Sequence, residues 1–175
     1  MHQIRPPRRN ELALLRCIER DASQRFAEIG LRVIAAHEPP SIAELERSIG
    51  VGQAWVAVSD RDRPVGYLLA TTVDDCGHVV QVSVARAHAS RRLGAALIDH
   101  LATSAGQAGQ PALTLTTFRD VAWNAPYYRR LGFEVLAPDA QGPELAKLVA
   151  HEATSIPGHA PRVAMRRWLT RGRHD

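Results

Sequence analysis

Apolar positions in the first fifty residues recur mostly at helical spacing. Residues 2–5 read as a short strand halted by Pro6-Pro7, and Asn10 is placed to cap a helix whose Leu12, Leu15 and Ile18 share one face. The next stretch, "DASQRFAEIGLRVIAAHEPP", loses that period and reads as irregular until Pro39-Pro40. Ser41-Ile42-Ala43-Glu44 is a capping box opening a second helix, with Leu45 and Ile49 inward and Gly50 as its stop.

Beyond Gly50 the pattern shifts to strands. Residues 54–58 ("AWVAV") predict a strand, "SDRDRP" a hairpin turn, and residues 65–70 its partner. "VDDCG" predicts another turn before a strand at 78–84. Leu93, Leu97 and Leu101 then stack on a helix that fades into "SAGQAGQP". A strand at 112–117 follows, then a short helix capped by Asn124 and ended by Gly132. Residues 133–136 predict a strand, 143–152 a helix and 162–168 a last strand.

Strands joined by turns form an antiparallel meander, and the later strand–helix–strand units imply parallel crossovers. The expected fold is therefore α/β in the mixed α+β sense. It has a mostly antiparallel central sheet of about six or seven strands with helices on both faces.

Composition narrows the class. At 175 residues, 45% apolar and 23% charged, the chain fits one globular domain, 1–175, with a basic tail at about 170–175. No apolar run reaches membrane-span length, and the N-terminal "MHQIRPPRRNE" lacks the apolar stretch of a secretory signal. Cys17 and Cys76 have no metal or redox spacing; the expectation is a cytoplasmic protein without a metal or a membrane partner. The net charge of +4, with arginine far ahead of lysine, suits solvated tails, a polyanion or a multiply phosphorylated small molecule.

The densest chemistry lies in "VQVSVARAHASRRLGAAL", residues 80–97. A strand here delivers the chain to a helix N-terminus, whose free N–H groups and partial positive charge converge where an anion can sit. Ser90, Arg91, Arg92, Leu93, Gly94 and Ala95 would supply the donors, with Ser90 capping the helix when no ligand is bound. Taken alone, the stretch equally describes an ordinary crossover whose arginines face solvent.

With residues 116–136 ("TTFRDVAWNAPYYRRLGFEVL") added, the chain resembles the GNAT superfamily of acetyl-CoA-dependent N-acetyltransferases. The motifs carrying this are Val82-Ser83-Val84, the loop Ala89 to Gly94, and Tyr128-Arg129-Arg130-Leu131-Gly132-Phe133. The resemblance implies that the backbone of Val82, Ser83 and Val84 pairs with the pantetheine arm of acetyl-CoA, and that Ser90 to Ala95 hold its pyrophosphate. It further implies that Tyr128 is the acid to the departing CoA thiolate. Asn124 is a helix cap or a contact to the cofactor arm; Tyr127 packs or lines the acceptor cleft.

The sequence departs from the family pattern at Ala89 (usually Gln or Arg), Arg92 (usually Gly), Gln81 (often Glu) and Val121 (frequently Asn). A left-handed backbone at Arg92 would cost roughly 1–2 kcal/mol; the retained Gly94 favours a tolerated loop. Gln81 cannot accept the amine's proton but can order a water. His78 lies on the opposite strand face, and His88 is less constrained. No base is assigned from sequence.

The implied activity is N-acetyl transfer to a primary amine on a small molecule or peptide. The alternative is a non-catalytic acyl-CoA-binding regulatory module, against which the intact Tyr128 motif argues. Nucleic-acid binding ranks last, because helix-turn-helix, zinc and aromatic–basic sheet signatures are all missing. Glu28, Glu38, Asp74 and Asp75 can attract a cationic amine or simply be solvated. Edge-strand pairing into a homodimer is compatible with the pattern, which does not show it.

Overall fold

In the computed structural model, which describes residues 3–155 and 160–169, the apolar patterns resolve into thirteen regular elements and three 3-10 turns. They are β1 (Ile4–Arg5), α1 (Leu12–Glu28), α2 (Arg32–Ala35), α3 (Ile42–Gly50), β2 (Ala54–Val58), β3 (Pro64–Val73) and β4 (Cys76–Val84). There follow α4 (Leu93–Gln107), β5 (Ala112–Phe118), α5 (Ala125–Arg130), β6 (Glu134–Val135), α6 (Pro143–Ser155) and β7 (Arg162–Trp168). The 3-10 turns are Arg9–Glu11, Arg86–Arg91 and Pro138–Ala140. The strands make a seven-stranded sheet in the order β1-β2-β3-β4-β5-β7-β6. Pairing is antiparallel at β1–β2, β2–β3, β5–β7 and β6–β7, and parallel at β4–β5. The fold is the mixed, mostly antiparallel α/β sheet expected. The basic tail from 170 onward and residue 2 of the predicted first strand lie outside the described residues.

Two local expectations need correcting. Asn10 does not cap α1: it sits inside the Arg9–Glu11 turn, and Glu11 occupies the cap position, its Oε2 accepting from Arg8 N at 2.7 Å. Arg5 fixes Glu11 there through two further bonds, at 3.0 and 2.7 Å. The stretch 21–40 is irregular only in part, for α1 continues to Glu28 and α2 spans Arg32–Ala35. The second half of α1 leaves the core, so the apolar period fades while good helix formers sustain the helix. Gly30, at φ 84°, then ends it. The expected parallel crossovers are both present: β4 and β5 pair directly, and β5 and β6 run parallel with β7 between them, antiparallel to both.

Contacts gather into two compact units, Met1–Thr71 with Val80–His100, and Thr72–Val79 with Leu101–Asp175. In the first, Leu12, Leu15 and Ile18 of α1 and Leu45 of α3 pack on Ala54, Val56 and Val58 of β2 and on Tyr67 and Leu69 of β3. In the second, Leu145 of α6 packs with Leu136 and with Ala164 of β7. The hairpin turn Asp74-Asp75 has both residues left-handed, at φ 47° and 58°, which Asp tolerates better than most. Asp74 uses that turn to cap α6, accepting from Glu144 N at 3.0 Å and Leu145 N at 2.9 Å. Among the described residues no helix is long and apolar enough to cross a membrane.

Candidate active site

The first unit holds the strand-to-helix connection. β4 runs on to Val84, whereas its parallel ladder with β5 registers Gly77, His78 and Val79 only. Of the strand-end residues, Ser83 is buried and Val82 and Val84 are half-buried. On the β3 side, Ala85 N donates to Val65 O at 2.9 Å, closing the antiparallel hairpin.

After Ala85 the chain makes the Arg86–Arg91 turn, so Ser90 belongs to that turn and does not cap α4. Arg92 stands at the cap position, and the first helical bond runs from Ala96 N to Arg92 O at 3.1 Å. The N–H groups of Leu93, Gly94 and Ala95 therefore have no intrahelical acceptor. Arg92 has φ 56° and ψ 22°, a left-handed residue where glycine is the cheap choice. That turn reverses the chain and leaves Ser90, Arg91 and Arg92 exposed, while Leu93 and Ala95 anchor α4 in the core. Exposed guanidinium groups beside free helical N–H groups can bind a phosphate.

The turn is tied to α1: Arg86 N donates to Asp21 Oδ2 at 2.7 Å, and Arg86 Nη2 pairs with Glu28 at 2.8 Å. Glu28 is thereby spoken for, Glu38 pairs with Arg16 and Arg20, and Asp74 is a helix cap. Among the four carboxylates weighed from sequence, only Asp75 has no such structural duty among the described residues.

The second unit carries Asn124 and Tyr128. Asn124 occupies the cap position of α5, yet its side chain does not cap. Instead Nδ2 donates to Thr117 Oγ1 at 2.7 Å, and the buried Oδ1 has no hydrogen-bond partner among the described residues. An orphaned buried carbonyl oxygen costs roughly 1–3 kcal/mol unless a ligand N–H satisfies it. Tyr128 is 8% exposed, its ring set edge-on against Tyr127 at 5.5 Å and Phe133 at 5.8 Å. Gly132, at φ 85°, turns the chain so that Phe133 N returns to Tyr128 O at 3.1 Å. Burial pushes the Tyr128 phenol well above its ordinary value, Tyr127 adds to this, and the charge of Arg162 opposes it. Arg162 is held by Glu152 at 3.0 Å and Thr116 at 3.1 Å, with its guanidinium 4.7 Å from the Phe118 ring centre.

Burial removes His78 as a base. His78 is 3% exposed and bonded through Nδ1 to Thr114 Oγ1 at 2.9 Å; burial lowers it from 6.5 to about 4, so it stays neutral in the core. His88 lies half-buried in the 3-10 turn, its backbone N–H bonded to Ala85 O at 2.8 Å. Gln81 donates to Ser83 Oγ at 2.8 Å. The sequence reading passed over Glu19, Tyr67, Thr117 and Arg162. Glu19 alone carried a signal: it is a carboxylate on the Leu12–Leu15–Ile18 stripe, where apolar residues belong.

Several solved structures share this fold. An acetyltransferase of the GNAT family from Staphylococcus aureus Mu50 is similar at TM-score 0.72 and 15% identity, covering 97% of this chain and 100% of that one. The PaiA N-acetyltransferase of Thermoplasma acidophilum, solved with coenzyme A, is similar at 0.69 and 13%, covering 96% and 99%. N-acetylglutamate synthase of Neisseria gonorrhoeae, solved with coenzyme A and N-acetyl-glutamate, gives 0.73 and 16%, covering 98% of this chain and 36% of that longer one. The family profile described as "Acetyltransferase (GNAT) family" matches residues 15–133, from within α1 to the glycine–phenylalanine pair after α5. The chain belongs to the GNAT acetyltransferase family, and it is an acyltransferase.

Proposed function

We propose that this chain acts as one catalytic domain that moves the acetyl group of acetyl-CoA to a primary amine, by direct attack of the amine on the thioester. The observation carrying this reading is the way β4 ends. The strand runs on to Val84 beyond its registered ladder with β5 and leads, through left-handed Arg92, to the free N–H groups of α4. An extended amide-bearing arm can add to such a strand through ladder bonds to Val82, Ser83 and Val84. A pyrophosphate suits the N–H groups of Leu93, Gly94 and Ala95 with Ser90, Arg91 and Arg92 around them. The Oδ1 of Asn124, buried and without a hydrogen-bond partner among the described residues, is an acceptor suited to an N–H of the pantetheine arm.

Chemistry follows from what each group holds. The amine attacks as the neutral base, and a backbone N–H on β4 stabilises the oxyanion. Collapse breaks the carbon–sulfur bond. Tyr128, kept protonated by its burial, donates a hydrogen bond to the sulfur as charge builds there and then its proton. A raised phenol is a poor free acid, so its value lies in position rather than acidity.

The test is amine-dependent thiol release from acetyl-CoA, wild type beside Tyr128→Phe. A turnover loss of about 10²–10⁴-fold with acetyl-CoA binding retained is expected. Equal turnover in the two proteins would remove Tyr128 from the mechanism.

A further inference from the structure

A second polar constellation lies in the first unit. Glu19, on the core-facing stripe of α1, is 8% exposed, and its carboxylate accepts from the hydroxyl of Tyr67 on β3, itself 1% exposed. Arg16, Glu19 and Arg20 are spaced so that their side chains leave one side of the helix together. Arg16 Nη2 at 3.2 Å and Arg20 Nη2 at 2.8 Å both hold the carboxylate of Glu38. Arg16 Nε is buried with no hydrogen-bond partner among the described residues. Exposure falls inward along this set, with side chains of Glu38, Arg20 and Arg16 at 72%, 45% and 27% and Glu19 at 8%. Glu19 is thus the buried member of a charged set whose other members are open to solvent.

Through Tyr67, Glu19 meets the face that the sheet presents to α1. A Cβ on Gly66 would meet Val84 Cγ2 at 3.1 Å, so these two share a face, and by strand alternation Tyr67 and Ser83 share the other. Ala85, on that second face by the same count, packs against the α1 core cluster. Gln81 and Ser83, bonded to each other, therefore lie on the face carrying Tyr67 and Glu19. Gln81 cannot take a proton; Glu19 can. Desolvation, the largest influence, lifts the Glu19 carboxyl above its ordinary value. The Tyr67 bond and the charges of His37, Arg16 and Arg20 pull the other way.

We propose that Glu19, Arg16 and Arg20 form the acceptor subsite and that the acceptor is a small amine carrying a carboxylate, of the amino-acid class. The ammonium meets Glu19, and the carboxylate takes the arginine pair in the place Glu38 now fills. This rests on the acetyl-transfer reading above and supplies its missing base. Of the two protons the ammonium loses, the first leaves as an N–H bond breaks and an O–H forms on Glu19, from which it passes to solvent. The freed lone pair makes the carbon–nitrogen bond, and the carbon–sulfur pair departs onto sulfur. The second amine proton, shed as the amide forms, balances the one Tyr128 gives to sulfur. A simple alkylamine satisfies Glu19 but leaves the arginines with their internal carboxylate.

The experiment is thiol release from acetyl-CoA with matched pairs: L-phenylalanine against phenethylamine, L-tyrosine against tyramine, L-lysine against cadaverine. Acetyl-CoA binding is measured alongside by calorimetry. The carboxylate-bearing member is expected to win by about 10-fold or more in kcat/KM, and Arg16→Gln or Arg20→Gln to raise its KM by about 10-fold with kcat kept. Glu19→Gln is expected to lose about 10²-fold in kcat at pH 7 and to regain it as pH rises toward the amine's own pKa, a rescue no structural defect produces. Arg20→Gln, on an exposed helix face, keeps the test alive if Glu19→Gln fails to fold. Equal use of both members of each pair, or a Glu19→Gln pH profile parallel to wild type, overturns the proposal. A wild type that binds acetyl-CoA yet uses none of the amino acids overturns it too. A wild type that does not bind acetyl-CoA brings down the acetyl-transfer reading itself.

Discussion

Replacing Arg92 separates two things that this residue does at once. Its φ of 56° costs a non-glycine residue roughly 1–2 kcal/mol. Glycine removes that strain but adds about 0.4–1 kcal/mol of unfolded-state entropy. Arg92→Gly should thus be as stable as wild type or up to about 1.5 kcal/mol more stable, a rise in Tm of up to about 6 °C for a chain of this size. Arg92→Ala keeps the strained backbone and should leave Tm within about 2 °C. Both variants lose the guanidinium. If it grips a phosphate, acetyl-CoA affinity falls in both by about 10- to 150-fold, the worth of a charge-assisted bond of about 1.5–3 kcal/mol. Differential scanning fluorimetry and calorimetry at one fixed salt concentration read the two quantities. The signature is stability gained and affinity lost in the glycine variant, with affinity alone lost in the alanine variant. A glycine variant less stable than wild type would refute the strained turn. Unchanged affinity in both would refute the grip.

Other perturbations probe the frame around the site. The folded value of His78, about 4 against 6.5 when unfolded, means that the unfolded chain binds the extra proton. Stability should therefore be full above pH about 6.5 and fall as pH drops toward about 4, by roughly 3 kcal/mol; His78→Gln should flatten that limb in urea titrations at stepped pH. Asp74→Ala removes two acceptors from the first turn of α6 and should cost about 0.5–2 kcal/mol, read as a lower Tm. Gly66→Ala places a methyl 3.0 Å from Ser83 O and 3.1 Å from Val84 Cγ2. It should destabilise by about 1–3 kcal/mol and weaken acetyl-CoA binding through the displaced end of β4, whereas unchanged affinity would show that this end bears no ligand.

Elements with a strong period were legible from the chain alone. The strands 54–58 and 162–168 have the predicted ends, and the Ser41–Glu44 capping box forms as written, with Glu44 N on Ser41 Oγ at 3.3 Å. What failed did so where local signal and tertiary demand part. The back half of α1 shows no apolar stripe because it leaves the core. Asn124 stands at a cap position, but Thr117, seven residues away on β5, takes its amide. Ser90 looks like the cap of α4; the turn consumes it and hands that place to Arg92. The strand order had no local signal either, since β7 enters between β5 and β6 through pairs such as Ala112 with Trp168 and Val135 with Met165, far apart in the chain. Local geometry was legible where one motif holds both residue and backbone, as in the return of Phe133 N to Tyr128 O. Site chemistry was hidden where one side chain reaches another from a distant element, as Glu19 does to Tyr67.

The central claim is that the end of β4, Arg92 and the start of α4 hold the cofactor, and acetyl-CoA calorimetry on wild type beside Gly94→Trp tests it most directly. The account predicts micromolar binding to wild type and none to the variant, whose indole fills the space where the pyrophosphate meets the helix N–H groups, with thermal unfolding showing both proteins folded. Binding of equal strength in the two proteins, or none to wild type at millimolar acetyl-CoA, would contradict it.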